Sequence, residues 1–211
     1  MMNDLSTRYA DIADQLRSAY DGSAAERDAG SKEDWKLAER QVFMQRLRTE
    51  GRMRLLEVGA GTGQDSLYFR DHGVSVVATD LSAEMIAKCR AKGLEAYVMD
   101  FLQLSFPSQS FDAGYAFNCL LHVPNADLPD VLAAIRRVLK PGGLFYAGLY
   151  GGESFEGVLP DDSHDPPRFF SFRTDDQMRC FVEPYFEVLD FHVVRGHVRF
   201  QALTLRVPEL Y

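Results

Sequence analysis

The run 55–65, Leu-Leu-Glu-Val-Gly-Ala-Gly-Thr-Gly-Gln-Asp, sets Glu57 ahead of glycines at 59, 61 and 63, with Ala60 between the first two. An apolar strand that turns on glycines into a helix brings backbone close to a ligand and offers it the unpaired amides of a helix N-terminus. The dinucleotide fingerprint G-x-G-x-x-G would put its third glycine at 64, where Gln64 stands, which disfavours NAD. Asp80 ends the next β-rich run, 23 residues after Glu57. A carboxylate there accepts from both hydroxyls of a ribose; the competing reading is a helix cap, made by Asp80 or by Ser82. Asp100-Phe101 follows a third such run, although an Asp at that place also serves to start a turn.

These residues need a sheet to position them. Strand-like runs at 54–58, 75–79, 95–99, 112–117 and 144–149 alternate with helical patterns at 64–72, 82–92 and 128–139, the signature of stacked βαβ units. Lys140-Pro141-Gly142-Gly143 reads as the turn that closes the last of these helices. Runs at 187–195 and 198–207, separated by Gly196-His197, read as a tight antiparallel hairpin. Ahead of this core, 5–20 has helical spacing and is broken by Asp21-Gly22-Ser23, and a second helix starts at Ser31. The stretch 151–173 reads as one long irregular loop, long enough to carry function.

The motif 57–63 resembles E/D-x-G-x-G-x-G of the class I S-adenosylmethionine-dependent methyltransferases, and 111–118 and 139–145 resemble that family's fourth-strand motif and its turn into the fifth strand. The resemblance implies a doubly wound α/β sheet of seven mostly parallel strands, order 3-2-1-4-5-7-6 with strand 7 antiparallel, in one domain spanning 1–211. It implies S-adenosylmethionine as cofactor and S-adenosylhomocysteine as product. Cofactor-binding residues are then Glu57, Gly59, Ala60, Gly61 and Gly63 about the amino-acid end, Asp80 at the ribose, Leu81, Met85, Asp100 and Phe101 at the adenine, and Asn118 past the fourth strand.

A sulfonium methyl is already a strong electrophile, so alignment and exclusion of water supply much of the catalysis. His122, four residues after Asn118, is the first choice for a general base titrating near neutrality, and packing beneath the cofactor is its alternative. The helices of 1–50 are expected to cap the site and 151–173 to lie near the acceptor. Tyr20, Trp35, Tyr150, Arg168 and Phe170 are the candidate acceptor-binding residues, with ordinary core packing the alternative for each.

The acceptor is expected to be a small molecule, methylated on oxygen or nitrogen. A formal charge of −8 repels a phosphate backbone, and [DN]-P-P-[YF] is missing after the fourth strand, so nucleic acid is not an expected partner. No metal is expected, since the acidic loop 161–165 reads as solvated. Three cysteines without C-x-x-C spacing and no long apolar run lead to expectations of a cytoplasmic chain with no membrane partner, monomeric or homodimeric. A cofactor-binding partner protein without catalysis is the alternative from another class, and an NAD-dependent oxidoreductase a more distant one.

Overall fold

The computed structural model describes residues 7–195 and 199–209. The first helix, α1 (Tyr9–Ala29), turns Tyr9, Ile12, Ala13, Leu16 and Ala19 to one buried face. The expected break at Asp21-Gly22-Ser23 does not occur, and Leu5 and Ser6 lie outside the described residues. Asp21 does not turn back on its own backbone, because its Oδ1 accepts from the Ser82 hydroxyl (2.5 Å) and the Glu84 amide (3.2 Å) of a neighbouring element. Burial of Ala24 a turn later rewards the continued helix. Helix α2 (Asp34–Thr49) starts later than Ser31, since 30–33 is drawn out as a strap: Gln64 Nε2 donates to the carbonyls of Arg27 (3.3 Å) and Gly30 (2.9 Å).

The sheet is then laid down by β1 (Arg54–Val58), α3 (Gln64–Asp71), β2 (Ser75–Asp80), α4 (Ala83–Ala91), β3 (Glu95–Val98) and β4 (Phe111–Phe117). A 3₁₀ turn (Leu120–His122) leads through α5 (Leu128–Val138) to β5 (Leu139–Tyr150). The turn expected at 140–143 is instead absorbed into β5: Phe111 pairs Leu139, the register shifts, and pairing resumes at Ala113 with Leu144. Gly142 at φ 69° and a Lys140–Asp112 ion pair of 2.7 Å hold that irregularity. Past β5, the stretch 151–173 is not wholly irregular, because β6 (Phe155–Val158) and β7 (Phe169–Phe172) form an antiparallel ribbon of their own. After α6 (Asp175–Val182) come β8 (Glu187–Arg195) and β9 (Arg199–Arg206), and the expected turn residues Gly196, His197 and Val198 lie outside the described residues.

The large sheet runs β3-β2-β1-β4-β5-β9-β8, with β9 antiparallel to both neighbours. Numbered within that sheet alone, this is 3-2-1-4-5-7-6. Alternation along the strands feeds two cores: Leu56, Val58 and Phe145 join α5 and α6 on one face, and Leu55, Tyr115 and Tyr146 join Phe43 of α2 and Phe69 of α3 on the other. Burial on both faces is what a parallel sheet between helices requires. Among the described residues no helix is long and apolar enough to cross a membrane.

Candidate active site

The carboxyl ends of β1, β2 and β4 open into a trough beneath α1 and the strap. It has two compartments, of about 480 and 840 Å³, and Arg27, Gly61 and Asn118 border both. Strand β1 delivers the glycine turn. At Gly59, φ 67°, an added Cβ would fall 2.4 Å from Cys119 Cβ, so the residue lets β1 and β4 approach. At Gly61, φ 55°, the same atom would meet nothing within 4 Å, so its open side faces the trough. Gly63, left-handed, caps α3, and Ala60 lines the larger compartment.

Asp80 ends β2 with its Oδ2 on the Gly61 amide (2.8 Å) and its Oδ1 on the Ser82 amide (2.9 Å). The cap of α4 is Ser82, whose Oγ accepts from the Met85 amide at 3.1 Å. Asp80 therefore organises the glycine loop, and a carboxylate offering about four lone-pair directions keeps two for a ligand. Burial raises its pKa against the opposing backbone bonds. Leu81 and Phe101 line the smaller compartment beside Asp80. Asp100 starts a turn, accepting from the Leu102 amide at 2.7 Å, and Met85 is wholly buried without bordering the trough. Asn118 sits at φ 55°, a conformation that costs a non-glycine residue energy, and its Oδ1 is buried without a hydrogen-bond partner.

The larger compartment is polar. Glu57, almost fully buried, accepts from the Ser66 hydroxyl; its pKa is raised by burial and by the nearby charge of Asp65. Asp65 binds Lys32 (2.5 Å) from the strap and Arg40 (2.9 Å) from α2, and Lys92 with Asp28 adds a third tie from the sheet side to the N-terminal helices. Sequence reasoning missed Arg27, Lys32 and Asp65, which meet across some thirty residues with no local pattern to announce it.

At the other end, two candidates from distant parts of the chain come together. The Tyr20 hydroxyl lies 2.5 Å from His122 Nε2, and His122 Nδ1 lies 2.6 Å from the Phe169 carbonyl. Arg168 reaches Tyr20 Oη at 3.3 Å while forking onto Asp162, whose carboxyl Arg168 holds at about 2 although burial pushes it upward. Burial chiefly, helped by Arg168 and Arg27, lowers His122 to about 3, so the expected titration near neutrality is corrected: the ring stays neutral. Phe170 is core, 4.9 Å from the imidazole, and supports it from behind. Trp35 and Tyr150 are not brought to Tyr20; they pack on Phe200, 4.8 and 5.7 Å between ring centres, with Lys36 over both rings. In the acidic loop, Asp162 is committed to Arg168 and His164.

Sheet order, glycine turn and trough together define the Rossmann-like architecture of class I methyltransferases. The chain matches the family described as methyltransferase domain over residues 56–147, and that match and its structural neighbours support a class I S-adenosylmethionine-dependent methyltransferase. Over 107 residues it is 38% identical to a sterol 24-C-methyltransferase of Aspergillus fumigatus, a match covering 46% of this chain and 27% of that protein. An S-adenosyl-L-methionine-dependent Diels-Alderase of Talaromyces variabilis is 34% identical over 102 residues, 44% of this chain and 34% of the relative. The chain thus spans about a third or less of the length of these relatives. The Burkholderia thailandensis 1,6-didemethyltoxoflavin-N1-methyltransferase, solved with 1,6-didemethyltoxoflavin and S-adenosylhomocysteine, superposes with a TM-score of 0.75 at 21% identity, over 96% of this chain and 92% of that one. The family's cofactor is S-adenosylmethionine. The residues present suit it: the position of Gly61 is open towards the trough, and the buried Asn118 Oδ1 lacks a partner.

Proposed function

We propose that this chain transfers the methyl group of S-adenosylmethionine to a small organic acceptor, with α1 and α2 capping the trough and the β6–β7 ribbon flanking the acceptor. One observation carries the reading: the smaller compartment is lined by Asp80 and Gly61 together with Tyr20 and His122, so a ribose anchor and a polar acceptor-facing pair share one compartment. When bound, the cofactor supplies a methyl carbon on a positive sulfur. Asp80 accepts from the ribose hydroxyls, Leu81 and Phe101 pack on the adenine, and the turn 59–61 with Glu57 surrounds the amino-acid end. Tyr9, Leu16 and Tyr20 of α1 keep water from the reacting atoms.

The reacting atom of the acceptor is read from the site, since the similar proteins are named for carbon and for nitrogen methylation alike. A second reading is favoured by the Diels-Alderase likeness: the trough binds the cofactor without spending its methyl group. Calorimetry with S-adenosylmethionine, S-adenosylhomocysteine and NAD tests the first part, with both sulfur ligands expected to bind. Binding of NAD alone would sink the proposal. Labelled cofactor then separates the two readings, because only transfer moves label onto an acceptor.

A further inference from the structure

Resting on the methyl-transfer reading, we propose that Tyr20 is a catalytic residue which takes the proton of an acceptor's hydroxyl or ring N–H while passing its own phenolic proton to His122. The tautomer follows from the partners. The Phe169 carbonyl can only accept, so His122 Nδ1 carries the ring's hydrogen and Nε2 is bare. The Tyr20 hydroxyl, 2.5 Å away, therefore donates to Nε2. With both nitrogens engaged, His122 has no atom left to touch an acceptor molecule. Tyr20 has: its Oη receives one bond from Arg168 at 3.3 Å and keeps a lone pair, and the residue borders the compartment that holds Asp80 and Gly61.

The relay is held from behind. Arg173, wholly buried, donates to the carbonyls of Leu120 (3.4 Å) and Val123 (2.6 Å), which bracket His122, and to Asn125 Oδ1 (2.7 Å). Asp162 fixes Arg168. Such a second layer of bonds is what keeps a reacting pair in register.

In the step itself, a lone pair of the acceptor's oxygen or nitrogen forms the new bond to the methyl carbon, and the carbon–sulfur bond breaks with its pair left on sulfur. The acceptor's proton moves to Tyr20 Oη as the phenolic proton crosses to His122 Nε2. One positive charge leaves sulfur and one appears on the imidazole, so the charge of the trough is unchanged. The proton returns to water through Tyr20 when product departs. Groups facing the imidazole are Tyr20 and Arg27 from α1 and Asp162, His164 and Arg168 from the segment before β7; burial and the two arginines keep the ring neutral and lower its proton affinity, so it takes the proton only in concert with the loss of positive charge from sulfur. An amine that retains its proton through the transfer has no use for this pair, which directs the proposal to hydroxyls and ring N–H groups.

Two measurements test it. In histidine-labelled ¹⁵N spectra of the chain with S-adenosylhomocysteine, His122 is expected to be neutral with Nδ1 protonated from pH 8 to pH 5, and Tyr20→Phe to shift its Nε2 resonance. A protonated Nε2, or an imidazolium at pH 6, overturns the relay. With labelled S-adenosylmethionine and a panel of phenols, alcohols and ring N–H heterocycles, Tyr20→Phe and His122→Gln are each expected to lower kcat roughly 10²-fold or more, leaving the Kd for S-adenosylhomocysteine within a few-fold. Gln accepts the phenol's hydrogen bond yet takes no proton, so turnover surviving in His122→Gln reduces His122 to a positioning residue and overturns the proposal. If no panel member reacts, the tautomer measurement decides alone. Failure of either cofactor form to bind strikes the methyl-transfer reading and not the relay.

Discussion

Gly59 and Gly61 share a left-handed backbone and differ in what surrounds them, which makes them a test of where the ligand sits. Gly59→Ala would drive a methyl group into Cys119 and strain the turn, so it is expected to cost stability, by roughly 1–3 kcal/mol from overpacking with about 1–2 from the left-handed backbone. Gly61→Ala carries only the backbone cost but points its methyl into the trough. Its Tm should fall less than that of Gly59→Ala, while its affinity for S-adenosylhomocysteine falls more per folded molecule. Equal affinities in the two variants would move the ligand elsewhere. Asp80→Ala removes the anchor of the Gly61 amide together with two free lone pairs, and we expect roughly 1.5–3 kcal/mol of cofactor binding to be lost in calorimetry. Because Ser82 is the cap of α4, the accompanying loss of Tm should be small; a large one with unchanged affinity would make Asp80 structural.

Among the elements, two of the ties that hold the N-terminal helices respond differently. The strap is pinned by Asp65, whose carboxylate is buried against two cations, and removing one member of such a set leaves charge uncompensated. Asp65→Asn is expected to speed proteolytic cleavage within 27–36 and to weaken cofactor binding together with it; cleavage unchanged from the parent chain would show that the strap is held by its backbone bonds alone. Helix α2 is also latched to β8, where His192 contacts Glu39 (3.0 Å) and Asp190 (2.6 Å), and these bonds raise its pKa although burial lowers it. A raised folded value means stability present in full below about 6.5, the ordinary histidine value, and lost as pH climbs through the folded one. The Tm gap between the parent chain and His192→Gln should therefore be wider at pH 5.5 than at pH 8.5, within the ~0–1 kcal/mol of a half-exposed pair. An identical gap at both values would remove the latch. Patterning alone located the sheet strands to within a residue or two, except at the start of β5, because alternation and glycine turns are local. It missed the continuation of α1 past Gly22 and the β6–β7 ribbon, whose causes are contacts with Ser82 and pairing across ten intervening residues.

At the scale of the whole molecule, topology was legible because the motifs at 57–63, 111–118 and 139–145 resemble those of the class I methyltransferases, whose strand order the seven strand-like runs and final hairpin fit. Asp80 and the glycines were legible for the same reason, whereas the pairing of Tyr20 with His122 was not, since only the packing of α1 across the sheet brings residues 102 apart into contact. Charge is the other property that belongs to the whole chain. The total is −8, yet Arg27, Lys32 and Lys36 border the larger compartment with Arg40 close behind, against Asp65 and a Glu57 whose burial and neighbour favour the neutral acid. The larger compartment thus gathers cations in a chain whose net charge is negative. A phosphate backbone, charged along its whole length, meets that net charge before it reaches the compartment, while a small acceptor enters it alone. We expect random single- and double-stranded 20-mers to show no saturable binding at 50 mM salt by fluorescence anisotropy, under conditions where S-adenosylhomocysteine binds. Tight binding whose logarithm falls steeply with the logarithm of salt concentration would mean that the local cations dominate the net charge, and a nucleic-acid acceptor would replace the small molecule.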